Sequence, residues 1–184
     1  MTALVPGDPA SVSALAGELT RQGEALRERR ATLTRVEAQL EDWAGMAAEG
    51  FRAAFRTQVR ALDDSAEALT GCGHALQDYA VDLQRARARA AEAQDYCDRH
   101  GLRLEPDGTV ALPWGSYSVD ASALYHDRIP EGQRLARAAV EEAEDAARDL
   151  ARRVDGPVHT LVVAGQAAMA AVTTATAAAQ SPPR

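Results

Sequence analysis

A bulky apolar residue returns every seventh position along the first hundred residues of this chain. Val12, Leu19, Leu26, Leu33 and Leu40 share one register; Leu15, Val36 and Trp43 share its companion, with Gln22 and Arg29 interrupting, which points to a polar or partner-facing stretch. A second run, Phe55, Leu62, Leu69, Leu76 and Leu83, continues through Ala90 and Cys97 and is accompanied by Val59, Ala66, Gly73 and Ala80. A seven-residue repeat draws a narrow stripe along an α-helix, and another helix is what best covers such a stripe. The joint between the runs is Trp43-Ala44-Gly45. Glycine interrupts a helix readily, and an aromatic residue beside it can close the end of a seam. The pattern predicts two helices folded back on each other, over residues 8–40 and 46–100.

Local signals agree with these bounds. Asp8 followed by Pro9 is a helix start, because the carboxylate accepts from free N–H groups and proline suits the first turn. His100-Gly101 is a stop. Phe51 lies one turn before Phe55 and is expected beside Trp43. Gly71-Cys72-Gly73 lowers helix preference by about 1 kcal/mol per glycine. It marks either a kink or the close approach of another backbone, and a mild bend within a continuing helix is expected.

The remaining segments differ in character. Residues 1–7 read as a flexible leader. Two short alternating runs flank Pro106-Asp107-Gly108 and predict a small β-hairpin leaning on the helices, within a connector over residues 101–130. Trp114, Tyr117 and Tyr125 are its expected packing anchors. A third helix is predicted over 131–155, with Leu135, Ala139, Ala146, Leu150 and Val154 on one face and Asp155-Gly156-Pro157 ending it. Residues 156–184 form an Ala/Thr-rich tail. The fold class is all-α: a long antiparallel helical hairpin, coiled-coil-like, with a small β-hairpin and a third helix.

Charge and composition narrow the function. The net charge is −7 and no basic stripe runs along the helices, so nucleic acid is not an expected partner. Arg85, Arg87 and Arg89 cluster, and a solvated helix face is the expected reading. Hydrophobic residues make up 46% but aromatics only 4%, so alanine supplies much of the core and helices in close approach are favoured over sheet packing. There is no G-x-S-x-G elbow, glycine-rich phosphate loop or H-E-x-x-H, and Asp63-Asp64 and Glu141-Glu142 are sequence neighbours that need not form a site. The chain is therefore expected to be no enzyme and to need no cofactor. Cys72-x-His74 and Cys97-x-x-His100 have ligand chemistry, but on one helix the two cysteines would lie about 37 Å apart. Neither a metal site nor a disulfide is expected. Met1 to Arg21 lacks a basic start and an apolar core, so no general secretory signal is expected. Residues 158–179 are long enough to span a bilayer, but their Ala, Thr, Gly and Gln gain little from lipid, and a weakly packed helix or disordered tail is expected instead.

With these residues in view, the chain resembles the W-x-G family of type VII secretion proteins. More closely, it resembles the N-terminal secretion-associated domain of actinobacterial effectors and polymorphic toxins. The resemblance rests on Gly7-Asp8-Pro9, Trp43-Ala44-Gly45, the stretch Ala48 to Phe55, and the Asp107-Gly108 β-hairpin after the second helix. It covers about residues 7–155. The absence of Lys and Asn suits a GC-rich bacterial source. The resemblance implies pairing with another helical hairpin and recognition by a membrane-embedded secretion machine and its ATPase. Small members carry a tyrosine with an acid four residues later as an export signal. Here Leu83 follows Tyr79 and His100 follows Tyr96 at that spacing, so the signal is expected on a partner, or the chain is a companion that stays inside.

The expected function is thus a non-enzymatic type VII secretion substrate or adaptor, cytoplasmic before export and leaving by a leaderless route. The alternatives are a helical scaffold or toxin-neutralising protein with no role in export, and a small protein anchored to a membrane by residues 158–179. The expected partner-binding residues are Trp43, Gly45, Phe51, Phe55, Leu62, Leu69 and Leu76. Two slender helices cover only one side of each other, and a second small helical protein or another copy would cover the rest.

Overall fold

The computed structural model describes residues 3–39, 42–112 and 125–180. Leu40, Trp114, Tyr117 and residues 181–184 lie outside them. The elements are α1 (Pro9–Ala38), α2 (Met46–Arg99), β1 (Arg103–Leu104), β2 (Val110–Ala111) and α3 (Arg128–Gln180). Among the described residues this is the expected fold class: two long packed helices, a third helix and one small antiparallel β-hairpin. The chain forms two compact units. One comprises Met1–Ser13 and Gln77–Ala151, the other Ala14–Leu76 and Arg152–Arg184.

In the first unit, Asp8 caps α1. Its carboxylate accepts from the Ser11 and Ala10 amides at 3.1 and 3.3 Å and from the Ser11 hydroxyl at 2.6 Å. These donors stabilise the charged form and hold the Asp8 carboxyl below its ordinary pKa. The segment before it is no flexible leader. Val5 is 2% exposed and shares a core cluster with Leu83, Ala86 and Ala139, with Leu4, Val12 and Tyr79 against it. The Gly7 carbonyl accepts from Arg87 at 3.1 Å. Burial of two aliphatic side chains is what orders a segment that carries no periodic pattern.

α2 ends in a glycine cap. Gly101 takes φ +66°, the Leu102 amide donates to the Cys97 carbonyl at 2.8 Å, and the Gly101 amide to Asp98 at 3.2 Å. Leu102, Cys97 and Val110 form a second buried cluster, packed by Tyr96, Ile129 and the expected anchor Tyr125. The β-hairpin pairs Arg103 with Ala111 and Leu104 with Val110. Two residues per strand cannot hold alone. The Gln133 side chain of α3 accepts from the Val110 amide at 3.0 Å and donates to the Gly108 carbonyl at 2.8 Å, tying the turn to a helix.

The second unit contains the helical hairpin. α2 runs unbroken through Gly71-Cys72-Gly73. A Cβ on Gly73 would lie 2.5 Å from Thr20 Oγ1 and 2.9 Å from the Ala16 carbonyl; one on Gly23 would lie 2.7 Å from Thr70 Oγ1 and 2.9 Å from the Ala66 carbonyl. The two backbones touch where both helices carry small residues. This corrects one register of the expected seam of α1. Val12, Leu19, Leu26 and Leu33 are half-buried, but Leu15, Val36 and Trp43 are 51, 42 and 42% exposed, and the fully buried residues of the helix are Ala16 and Gly23. Close approach selects small side chains there.

α3 also departs from expectation. It does not end at Asp155-Gly156-Pro157 but continues to Gln180 with Pro157 inside it. An interior proline costs about 3 kcal/mol by removing a hydrogen bond and crowding the preceding turn. Packing offsets that cost. The Pro157 ring lies beside Gly71, Gln58 Nε2 donates to the Ala168 carbonyl at 2.6 Å, and Ala164 and Ala171 are buried. No helix among the described residues is long and apolar enough to cross a membrane.

Candidate partner-binding face

The seven candidate residues all lie in the second unit, on the link after α1 and the first half of α2. Gly45 makes the turn with φ +104°, a conformation costly for any residue with a side chain, and its carbonyl accepts the Glu49 amide at 3.1 Å as α2 begins. Trp43 lies just before it. Its ring packs on Phe51 with centroids 5.4 Å apart, and Phe51 packs on Phe55 at 5.7 Å. Arg52 donates to the Trp43 carbonyl at 2.6 Å, fixing the link to the first turns of α2. The expected Trp43–Phe51 contact is therefore present, although the tryptophan stays 42% exposed. Phe55 is buried at the inner end of this aromatic run.

The structure does not gather Leu62, Leu69 and Leu76 with the aromatic run. They follow at seven-residue intervals along α2, each half-buried. Leu62 lines an open groove with Gln58 of α2 and with Ala25, Arg29 and Leu33 of α1. Glu28 and Thr32 complete its lining, so apolar, polar and charged side chains share it. Arg30 and Asp63 bridge α1 and α2 at 3.1 Å, an exposed contact worth well under about 1 kcal/mol.

Other candidates resolve differently. Arg85 pairs with Asp82 at 3.1 Å, Arg87 donates to Gly7, and Arg89 pairs with Glu142 at 2.8 Å, so each arginine of that cluster is engaged within the chain. Cys72 and Cys97 are both free and buried, and burial pushes both thiols above their ordinary pKa. Tyr96 packs its ring on His100 at 4.4 Å, one helical turn on, where the resemblance would call for an acid.

Sequence reasoning missed the inner line of α1, where Ala16 and Gly23 are buried, because small residues give no apolar signal. The outer row was legible: Gln22 and Arg29 interrupt the register of Leu15 and Val36 and point to a polar or partner-facing stretch, and Leu15 and Val36 are exposed.

An antiparallel pair of helices that turns at a partly exposed tryptophan and keeps apolar side chains outward has the form of a helical interaction module. The family model described as "Putative T7SS secretion signal domain" matches residues 1–101. That is more than half of the 184 residues, and the chain belongs to this family, associated with type VII secretion. The matched stretch contains Trp43-Ala44-Gly45 and all seven candidate residues. No curated protein and no solved structure matches the chain.

Proposed function

We propose that the chain is a non-enzymatic substrate or adaptor of type VII secretion of the W-x-G type, akin to the domains on actinobacterial effectors, that pairs with another helical protein for export. The observation that carries this reading is the exposure of Trp43, Leu15 and Val36, bulky apolar groups in one heptad register that the hairpin leaves uncovered. The partner is a second small W-x-G-like helical protein or another copy, which lays its own apolar stripe along this row and around the Trp43–Phe51–Phe55 run. Association of that kind is driven by apolar burial at about 25 cal/mol per Å² before the cost of lost freedom.

The secretion ATPase is the second partner. The turn of α2 after Tyr96 offers His100 rather than a carboxylate, so the export signal is assigned to the partner chain. The chain waits in the cytoplasm and leaves by the type VII route, needing no cofactor. The test is export from a producing strain with and without a functional secretion ATPase, alongside co-purification from its cytoplasm. Retention in the ATPase-deficient strain together with a co-purifying helical protein is the expected result. Equal release from both strains overturns the reading.

A further inference from the structure

α3 carries a second apolar surface, in the second unit and outside the family-matched residues. Val158, Val162, Gly165, Met169 and Val172 follow one another at steps of four, three, four and three, which places them on one stripe of the helix. The four side chains are 49, 53, 75 and 57% exposed, and a Cβ on Gly165 would meet nothing within 4 Å. The surface is more apolar than its threonines suggest. Thr173 and Thr176 donate their hydroxyls to the carbonyls of Met169 and Val172 at 3.0 and 2.9 Å, so those polar groups are satisfied within the helix.

We propose that this stripe is a self-association surface that pairs antiparallel with the same stripe of a second copy of this chain. Charge selects the occupant. Residues 158–179 contain no Asp, Glu or Arg, so a charged partner finds no ion pair here, whereas two copies meet without like-charge repulsion. An anionic lipid surface would call for basic residues along the stripe, and residues 158–179 hold no Arg or Lys. Shape selects the orientation. A two-fold axis at Ala167 sets Val162 against Val172 and Met169 against Gly165, so the most exposed side chain enters the gap where no side chain stands. A parallel pairing would set Met169 on Met169 and Gly165 on Gly165, giving a crowd beside a void. The stripe is about 21 Å long at the helical rise, and pairing two buries on the order of 600 Å², below the range of stable complexes. The dimer is accordingly weak and reversible. The stripe shares no residue with the hairpin face.

The test is sedimentation of the full chain up to about 500 µM, with a concentration-dependent dimer expected. Met169→Glu should weaken it at least tenfold at unchanged helicity, and Val81→Ser, at an exposed position of α2 outside both surfaces, should leave it unaltered. Val162→Ser reads the same surface if Met169→Glu lowers helicity. Mild oxidation of a mixture of Gly165→Cys and Met169→Cys chains should give a covalent dimer, while Gly165→Cys alone and the parent chain, whose own thiols are buried, should not. The proposal is overturned by a monomer at every concentration, by a dimer insensitive to both stripe variants, or by a Gly165→Cys homodimer. Met169-dependent binding of monomeric chain to phospholipid vesicles would overturn it in favour of a membrane.

Discussion

Gly73 sits against Thr20 with no room for a side chain, and Gly23 sits against Thr70 in the same way. The residues around them repeat. Ala16, Leu19, Thr20 and Gly23 on α1 have the same spacing as Ala66, Leu69, Thr70 and Gly73 on α2. Each glycine lies on the alanine carbonyl and threonine of the other helix, and each threonine hydroxyl donates to its own helix's alanine, at 3.1 Å for Thr20 and 2.8 Å for Thr70. One eight-residue pattern, used twice in opposite directions, builds a local two-fold crossing in which the backbones themselves meet. Arg27 adds a hydrogen bond to Thr70 Oγ1 at 2.9 Å on one side.

Gly73→Ala is therefore expected to destabilise the hairpin. The new methyl would meet a backbone carbonyl at 2.9 Å as well as a hydroxyl, and backbone yields less readily than a side chain. A loss of about 1–3 kcal/mol is expected for overpacking of this kind. Gly50→Ala is the control, since it lies in α2 with nothing within 4 Å and should gain up to about 1 kcal/mol from helix propensity. Denaturant melts of the two variants should move in opposite directions. Equal shifts would mean that the crossing is not close-packed.

The hairpin tie at Gln133 predicts a local effect. Gln133→Met keeps the volume and removes both hydrogen bonds to the β-turn, leaving the Val110 amide without its acceptor. A cost of about 1–3 kcal/mol is expected, felt first as faster hydrogen exchange at Val110. Unchanged exchange there would show that the two strands hold without α3.

How much of this was legible follows from where the information resides. α2 could be read because both of its rows are used: Phe55, Leu83 and Cys97 are buried on one, Ala66, Gly73 and Ala80 on the other. The inner face of α1 was misread because large residues draw attention, whereas a close crossing is made by Ala16 and Gly23. Comparing the two helices with each other, rather than each with a heptad template, would have exposed the shared pattern. Pro157 was misread because Asp-Gly-Pro is a local stop, and the packing of α3 on α2 through Gln58 and Ala168 is a tertiary fact. Leu4 and Val5 gave no periodic signal, being too few to show one. The aromatic run at the candidate face was legible because Trp43, Phe51 and Phe55 are near in sequence.

Acid should loosen the start of α1. The Asp8 carboxyl is held below its ordinary value by hydrogen bonds from Ser11 and then Ala10. A lowered folded pKa means that the cap's contribution is complete above the unfolded value, about 3.9, and is lost as pH falls through the folded one. Titration by NMR should place the Asp8 midpoint below that of an unstructured aspartate, with the Ser11 amide shifting in parallel. Asp8→Ala should remove that pH dependence at all residues of the first turn. A midpoint at or above the ordinary value would contradict the cap.

Trp43→Ala separates folding from association. The ring packs on Phe51 at 5.4 Å but remains 42% exposed, so its loss should cost the isolated chain only about 0.5–1.5 kcal/mol from the aromatic pair plus a fraction of its burial. At an interface centre the same truncation commonly costs at least about 2 kcal/mol of binding, roughly a 30-fold loss of affinity. Leu69→Glu provides the contrast. Leu69 is half-buried beside the Thr70 crossing, and a carboxylate there should lower both helicity and association. Calorimetric titration with the co-purified partner and thermal melts of each variant read the two quantities separately. If Trp43→Ala binds as tightly as the parent chain while melting at a lower temperature, the tryptophan serves only to close the helical turn, and the partner docks elsewhere.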